Sequence, residues 1–317
     1  MRLICLTIAA LAIASVSLLP TAHAKILRMA LSDDATTPDP HAAGLATNHR
    51  LLSNIYEGLV RRDKDFKIAP ALAVSWTQPA AKTWRFKLRE GVKFHDGSAF
   101  TADDVVFSIN RAMHPLSSVR YAAQGIASAK RVDDLTVDVS IAHPNPVMLL
   151  HLVHLAVISR PWSATHNVLL PQNYAKSQKT LASRSTNGTG HFMLALRAPG
   201  VKTVIVENKN WWNRQASDRC NVTAVEWTPI KSHGTRVAAL MSGAVDFVSD
   251  PPVQDSERLK SVADVKLQLV NEPRMVLLAL DQKRDELLYN NVRRKNLFKD
   301  IWVRQAIALA IDANGYQ

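Results

Sequence analysis

Between Trp84 and Met113 the hydrophobic period switches from two residues to 3.6 across one short reversal, and that switch admits a strand followed at once by a helix. Trp84, Phe86 and Leu88 alternate with Arg85, Lys87 and Arg89, the pattern of a half-buried strand with a basic outer face. His95-Asp96-Gly97 then supplies a reversal, with Gly97 suited to a positive φ. Thr101 and Asp104 have the spacing of a capping box, whose acidic member also favours the positive end of the helix that follows. Ala102, Val105, Val106, Ile109 and Met113 form one apolar stripe on that helix, turned toward a core.

The sequence opens with a short positive end at Arg2, an apolar run from Leu3 to Leu19 and a small-residue site at Ala22-His23-Ala24, the pattern of a secretory signal peptide over residues 1–24. Cys5 lies too early to be a lipid-accepting cysteine. After cleavage only Cys220 remains, so packing and not an internal disulfide must stabilise an exported protein. The next most apolar stretch, Val147 to Ile158, is too short to span a bilayer, and no membrane insertion is expected. The net charge of +12 is scattered along the sequence, with dense groups only at Arg61-Arg62 and Arg293-Arg294-Lys295. Scattered charge describes a solvated surface, and export argues further against nucleic acid.

No repeat or low-complexity segment interrupts what reads as continuous α/β. Strands are predicted over Lys25 to Ser32, Leu135 to Ala142, Phe192 to Arg197, Lys202 to Glu207 and the run TAVEWTPI. Two further runs, DFVS and MVLLALD, read as buried strands. Helices are predicted over Asn48 to Val60, Val147 to Ile158, Thr235 to Met241 and Ile301 to Asp312. Pro199-Gly200 reads as a turn, and Gly243 as a left-handed helix cap.

WRFKLREGVKFHDGSAFTADDVVFSINRA resembles the signature region of the family 5 extracellular solute-binding proteins, the dipeptide, oligopeptide, opine and nickel receptors of ABC importers. NIYEGLV (Asn54 to Val60), NGTGHF (Asn187 to Phe192), RVAALMSGAVDFV (Arg236 to Val248) and VRQAIALAID (Val303 to Asp312) resemble further family motifs, in the family's order. His191 stands where the family usually has Pro, and Leu297 and Trp302 stand where it has Pro and Arg. The resemblance implies an α/β, periplasmic binding protein-like fold of the two-lobed class C. Lobe I would take its sheet-containing core from residues 25–68 and 186–300 and carry an appended subdomain at 69–185. Residues 301–317 would begin lobe II, most of which would be missing, so that the sequence is truncated at its C-terminal end. The strand, reversal and capped helix would then be scaffold.

The implied function is a periplasmic, monomeric receptor that holds a peptide or other small solute between two lobes and delivers it to a permease and ATPase complex, without a cofactor. The expected ligand-binding residues are Asp33, Asp34, Thr36 and Thr37, in the loop after the first strand, because open α/β sheets bind at the carboxyl ends of their strands. Two alternatives stay open: a non-functional remnant of such a receptor, and a metal-dependent hydrolase using His151 and His154 on one helix face. G-x-S-x-G, H-E-x-x-H, paired C-x-x-C and P-loop patterns are all lacking, so no catalytic residue is expected. Trp211-Trp212 reads as a loop anchor ahead of a ligand platform, and Gly188-Thr189-Gly190 as a turn.

On the helix predicted at 301–312, Trp302, Ala306, Leu309 and Ala310 share a face that Ile307 and Ile311 widen. Each large side chain left uncovered forgoes about 1.5–3 kcal/mol of burial. Without a covering lobe this segment is expected to fray, with rapid amide exchange across residues 301–312 in a monomer; strong protection there would contradict the expectation.

Overall fold

The computed structural model describes residues 25–214, 221–269, 277–292 and 295–312. The signal peptide expected at 1–24 and Cys220 lie outside them. The protein divides into two compact units on either side of Val265.

In the first unit, β1 (Lys25–Leu31) pairs in parallel with β10 (Val222–Pro229) and β11 (Phe247–Val248). Antiparallel partners β9 (Lys202–Glu207) and β8 (Phe192–Ala198) complete a five-stranded sheet in the order β11-β1-β10-β9-β8. A second sheet, fully antiparallel, has the order β4-β5-β7-β6, with β4 at Ala73–Ala80, β5 at Thr83–Leu88, β6 at Ile126–Asp133 and β7 at Thr136–Ile141. β2 (Val60–Arg62) and β3 (Ile68–Pro70) form a separate small ribbon. The alternation in β5 is realised: Phe86 and Leu88 are buried, Lys87 is exposed, and Arg85 pairs with Asp138 directly across on β7 at 2.7 Å.

The capped helix is α2 (Ala102–Met113), following the short α1 (Ala46–Leu52). The Asp104 carboxylate accepts from the Thr101 amide at 2.9 Å and its hydroxyl at 3.1 Å, which closes the box, and Gly97 has φ +86°. Val105 and Ile109 pack into the core of the second sheet beside Phe86, Val137 and Val139. Phe107 packs against a second core of Leu51, Ile55, Phe192, Ile205 and Val225. The helix is thus buried on more than the predicted stripe, and Ser108 and Arg111 are interior as well.

Two helix expectations are corrected. The helix expected over Asn48 to Val60 ends at Leu52, because the carbonyls beyond it are taken by other segments. Asn54 O accepts from Phe192 N, Ile55 O from Gly190 N, Glu57 O from Val157 N and Leu59 O from Ala73 N, at 2.9–3.0 Å. Val147 to Ile158 likewise holds only α3 (Met148–Leu152); its second half runs irregularly, with Leu155 and Val157 buried, before α4 (Arg160–Thr165). Strand β6 has no counterpart among the expectations. Its sequence, IASAKRVD, is mostly exposed and carries charges at Lys130, Arg131 and Asp133, as suits an edge strand. DFVS supplies only the two residues of β11, and Phe247 is exposed rather than buried.

The turn expected at Gly188-Thr189-Gly190 does not form; the segment instead runs against residues 54–55, for a steric reason. A Cβ on Gly188 would meet Ile55 O at 2.0 Å and one on Gly190 would meet Asn54 O at 2.5 Å, so only glycine lets these backbones lie together. Helices α5 (His233–Met241), stopped at Gly243 with φ +72°, and α6 (Ser256–Lys260) complete the unit.

In the second unit, α7 (Ile301–Ala310) is capped by Asp300, whose Oδ1 accepts from Trp302 N at 2.9 Å. Trp302 is 74% and Leu309 88% exposed. The buried strand expected at MVLLALD does not form over its described part: residues 277–281 have no strand pairing, and Leu277 and Leu278 are exposed. Its first two residues lie outside the described set.

His41 is fully buried, with Nε2 3.0 Å from Ala156 O, which assigns the proton to Nε2. Desolvation, reinforced by the Arg111 charge and only partly opposed by Asp39, lowers its pKa to about 4 from 6.5. The unfolded protein therefore takes up a proton below pH 6.5 that the folded protein refuses until about pH 4. Stability falls across that window by roughly 3 kcal/mol. Urea unfolding at pH 7 and pH 4.5 is expected to show a smaller acid loss for His41→Gln than for the native protein; equal losses would contradict this assignment.

Candidate functional site

The loop that leaves the carboxyl end of β1 lies where a parallel strand pair offers its open end. It is held from several sides. The Asp34 carboxylate accepts from Arg197 of β8 at 2.8 Å and from Gly200 N, in the β8–β9 turn, at 2.8 Å. Arg197 also donates to Ala35 O and to Thr203 Oγ1. The Thr36 amide and hydroxyl both donate to Asn48 Oδ1, and Asn48 Nδ2 returns a bond to Thr37 O at 2.8 Å. Asn48 is a buried side chain of α1, so this helix braces the loop from behind.

The four expected ligand residues separate on inspection. Asp33 and Thr36 are exposed, and among the described residues the Asp33 carboxylate accepts only from the neighbouring Ser32 hydroxyl, at 2.7 Å. Asp34 is half-buried and committed to Arg197. Thr37 is 1% exposed and donates its hydroxyl to Gln172 Oε1 at 2.6 Å, which leaves it no surface for a ligand. The backbone groups of Asp33 and Asp34 and the Thr36 carbonyl meet no partner among the described residues. A depression beside Asp33 and Asp34 is walled by Thr47 and Leu51 of α1 and by Trp227, Thr228 and Pro229 at the end of β10. Trp227 Nε1 is buried there without a hydrogen-bond acceptor among the described residues. Sequence reasoning missed Trp227 and Asn48; the clue for Trp227 was an aromatic at the carboxyl end of a predicted strand.

Further along the loop, Asp39 and Arg111 form a bidentate pair, with both nitrogen–oxygen distances 2.8 Å and side-chain exposures of 0% and 1%. Asp39 also accepts from Gln172 N and His41 N, and Arg111 donates to Leu170 O. Burial alone would raise the Asp39 pKa, but the Arg111 hydrogen bonds and charge, with the Gln172 amide, hold it below the usual carboxylate range.

Trp211 and Trp212 both donate their indole N–H to the Glu57 carboxylate, at 3.0–3.2 Å, while the Arg89 guanidinium lies 3.9 Å from the Trp212 ring centroid. Burial raises the Glu57 pKa, and the indole bonds and Arg89 oppose that rise. The pair is an anchor for the connection after β9. The rings packed against His154 are those of His49 and Tyr121, and no ring contact to His151 occurs among the described residues. No group of three or more His, Cys, Asp or Glu able to hold a metal occurs among the described residues, and no described helix is long and apolar enough to cross a membrane.

A family model described as bacterial extracellular solute-binding proteins, family 5 Middle, matches residues 67–317. The chain is 26% identical over 304 residues to the glutathione-binding protein GsiB of Salmonella paratyphi A, covering 95% of this chain and 56% of that one. It is 26% identical over 294 residues to the periplasmic oligopeptide-binding protein OppA of Escherichia coli, covering 86% and 50%. The chain spans about half the length of the curated relatives it matches. Among solved structures, the periplasmic binding protein DppA from Helicobacter pylori, in complex with the peptide STSA, superposes with a TM-score of 0.66 at 24% identity over 76% of this chain and 49% of that one. A periplasmic binding protein-like α/β fold and a matching family model over most of the sequence lead to one conclusion: this chain belongs to the family 5 bacterial extracellular solute-binding proteins.

Proposed function

We propose that this protein takes part in capturing a peptide or peptide-like solute in the periplasm for delivery to an ABC permease and its ATPase, by binding and release with no bond broken. Within it, residues 25–68 and 186–300 are the core of the first lobe, 69–185 its appended subdomain and 301–317 the start of the second lobe. The ligand wall is the loop after β1. Asp33 and Thr36 face the solute, whereas Asp34 and Thr37 set the loop's shape through Arg197 and Gln172.

The observation that carries this reading is the exposed, internally braced loop whose Asp33 and Asp34 backbone groups and Thr36 carbonyl are unpaired among the described residues. An extended peptide satisfies such groups by main-chain hydrogen bonds, as an added strand does, while an adjacent recess takes a side chain. The Trp227 depression beside the loop has a volume of only about 10 Å³, room for a water and not a side chain, so the main-chain groups carry the contact. The peptide and glutathione specificities in the relatives' names support the same solute class. A second reading, a member of this family that binds no solute, is favoured by the commitment of Asp34 to Arg197 and of Thr37 to Gln172 within the protein itself.

Calorimetric titration with a mixture of di- to tetrapeptides separates the two. The first reading expects saturable heat that Thr36→Pro weakens at least tenfold, with Asp96→Asn, on the remote β-turn, without effect. A flat trace under conditions where a full-length relative responds would remove the capture reading for this protein.

A further inference from the structure

On the side of α1 away from the Trp227 depression lies a second cleft, lined by Pro40, Leu45, His49, Tyr56, Tyr121 and His154. His49 stands on α1 and His154 follows α3, more than a hundred residues later, yet their ring centroids are 4.8 Å apart with the planes tilted by 56°. Tyr121 closes the other side, its ring centroid 6.1 Å from that of His154. His49 is exposed and His154 half-buried. Neither imidazole has a hydrogen-bond or ion-pair partner among the described residues, whereas His41, His95 and His233 all bond to the protein. Two imidazoles from distant segments, converging on a cleft with four uncommitted nitrogens, call for a ligand that takes nitrogen lone pairs.

We propose that His49 and His154 form a site for a borderline divalent transition-metal ion, Cu2+ foremost, in which two imidazoles supply part of the coordination and water or a solute's own donor atoms supply the rest. The spacing suits this. With metal–nitrogen bonds of about 2.0–2.1 Å, each ring centre lies about 3.2 Å from the ion, and coordination angles from about 90° to 109° put the two centres about 4.5–5.2 Å apart. The observed separation falls inside that range. Imidazole ligates copper, nickel and zinc, and Cu2+ leads the affinity order for a given nitrogen set. The site is open, since no third His, Cys, Asp or Glu completes it among the described residues.

The nearby Arg62 would weaken a cation by repulsion, which favours an ion that bonds imidazole strongly over Ca2+ or Mg2+.

The test is titration of the untagged protein at pH 7 with Cu2+, Ni2+ and Zn2+ salts, followed by electron paramagnetic resonance of the copper-loaded protein. One equivalent is expected to bind, Cu2+ tightest, with nitrogen hyperfine structure from two imidazoles. His49→Ala and His154→Ala should each weaken Cu2+ at least tenfold, and His151→Ala less than twofold. Both lesions are at the surface, and unchanged unfolding midpoints for the metal-free variants confirm that each still folds. Absence of saturable binding, Cu2+ affinity unmoved by either substitution, or equal dependence on His151 would overturn the proposal.

Discussion

Two opposite charges without access to water, Asp39 and Arg111, hold the loop after the first strand against the long helix that backs the second sheet. A buried ion pair is weak evidence for added stability, because removing both charges from water is itself expensive. Its effect here is on geometry. Asp39 also gathers the amides of His41 and Gln172, and Arg111 gathers the Leu170 carbonyl, so one pair positions three segments that lie far apart in sequence. The Asp33–Thr37 stretch, which carries the proposed solute contacts, begins only a few residues upstream of that anchor.

The same logic of shared backbone partners joins the two sheets. Residues 54–59 give up helical bonding and lend their carbonyls to the Gly190–Phe192 segment, to Val157 and to Ala73. The glycines at 188 and 190 permit the contact, and the Glu57 carboxylate, clasped by Trp211 and Trp212, closes it from the side. The exposed loop after β1, if it holds a solute as proposed, is braced by Asn48 and Arg197, which limits the ordering a ligand would have to impose.

Elements whose signals are local were legible in the sequence. The β5 alternation, the Thr101–Asp104 box, the Pro199-Gly200 turn and the run of α5 into Gly243 each depend on neighbours within a few positions, and each forms. The failures are tertiary. Leu51, Leu52, Ile55, Tyr56 and Leu59 have helical spacing and are all buried, yet the carbonyls from Asn54 to Leu59 are claimed by partners that are distant in sequence. Arg111 lies off the predicted apolar stripe of its helix, and nothing local marks its partner at Asp39. Strand β6 was hidden by its charges, and Trp227 and Asn48 acquire their places beside the loop only through parallel pairing and helix docking. The rule about strand ends points to the loop after β1 without saying which of its side groups face outward; the structure leaves Asp33 and Thr36 exposed and turns Thr37 inward.

The claim on which the account turns is that Asp39 and Arg111 act as one anchor. A double-mutant cycle with Asp39→Asn, Arg111→Met and the combined variant, read by denaturant unfolding at pH 7, measures that coupling directly. Removing one partner leaves the other charge buried, so each single change is expected to destabilise by about 3–5 kcal/mol, and the double change by well under their sum, with a coupling of at least about 2 kcal/mol. Effects that add to within about 0.5 kcal/mol would mean that the two residues are independent, and the anchor would not exist.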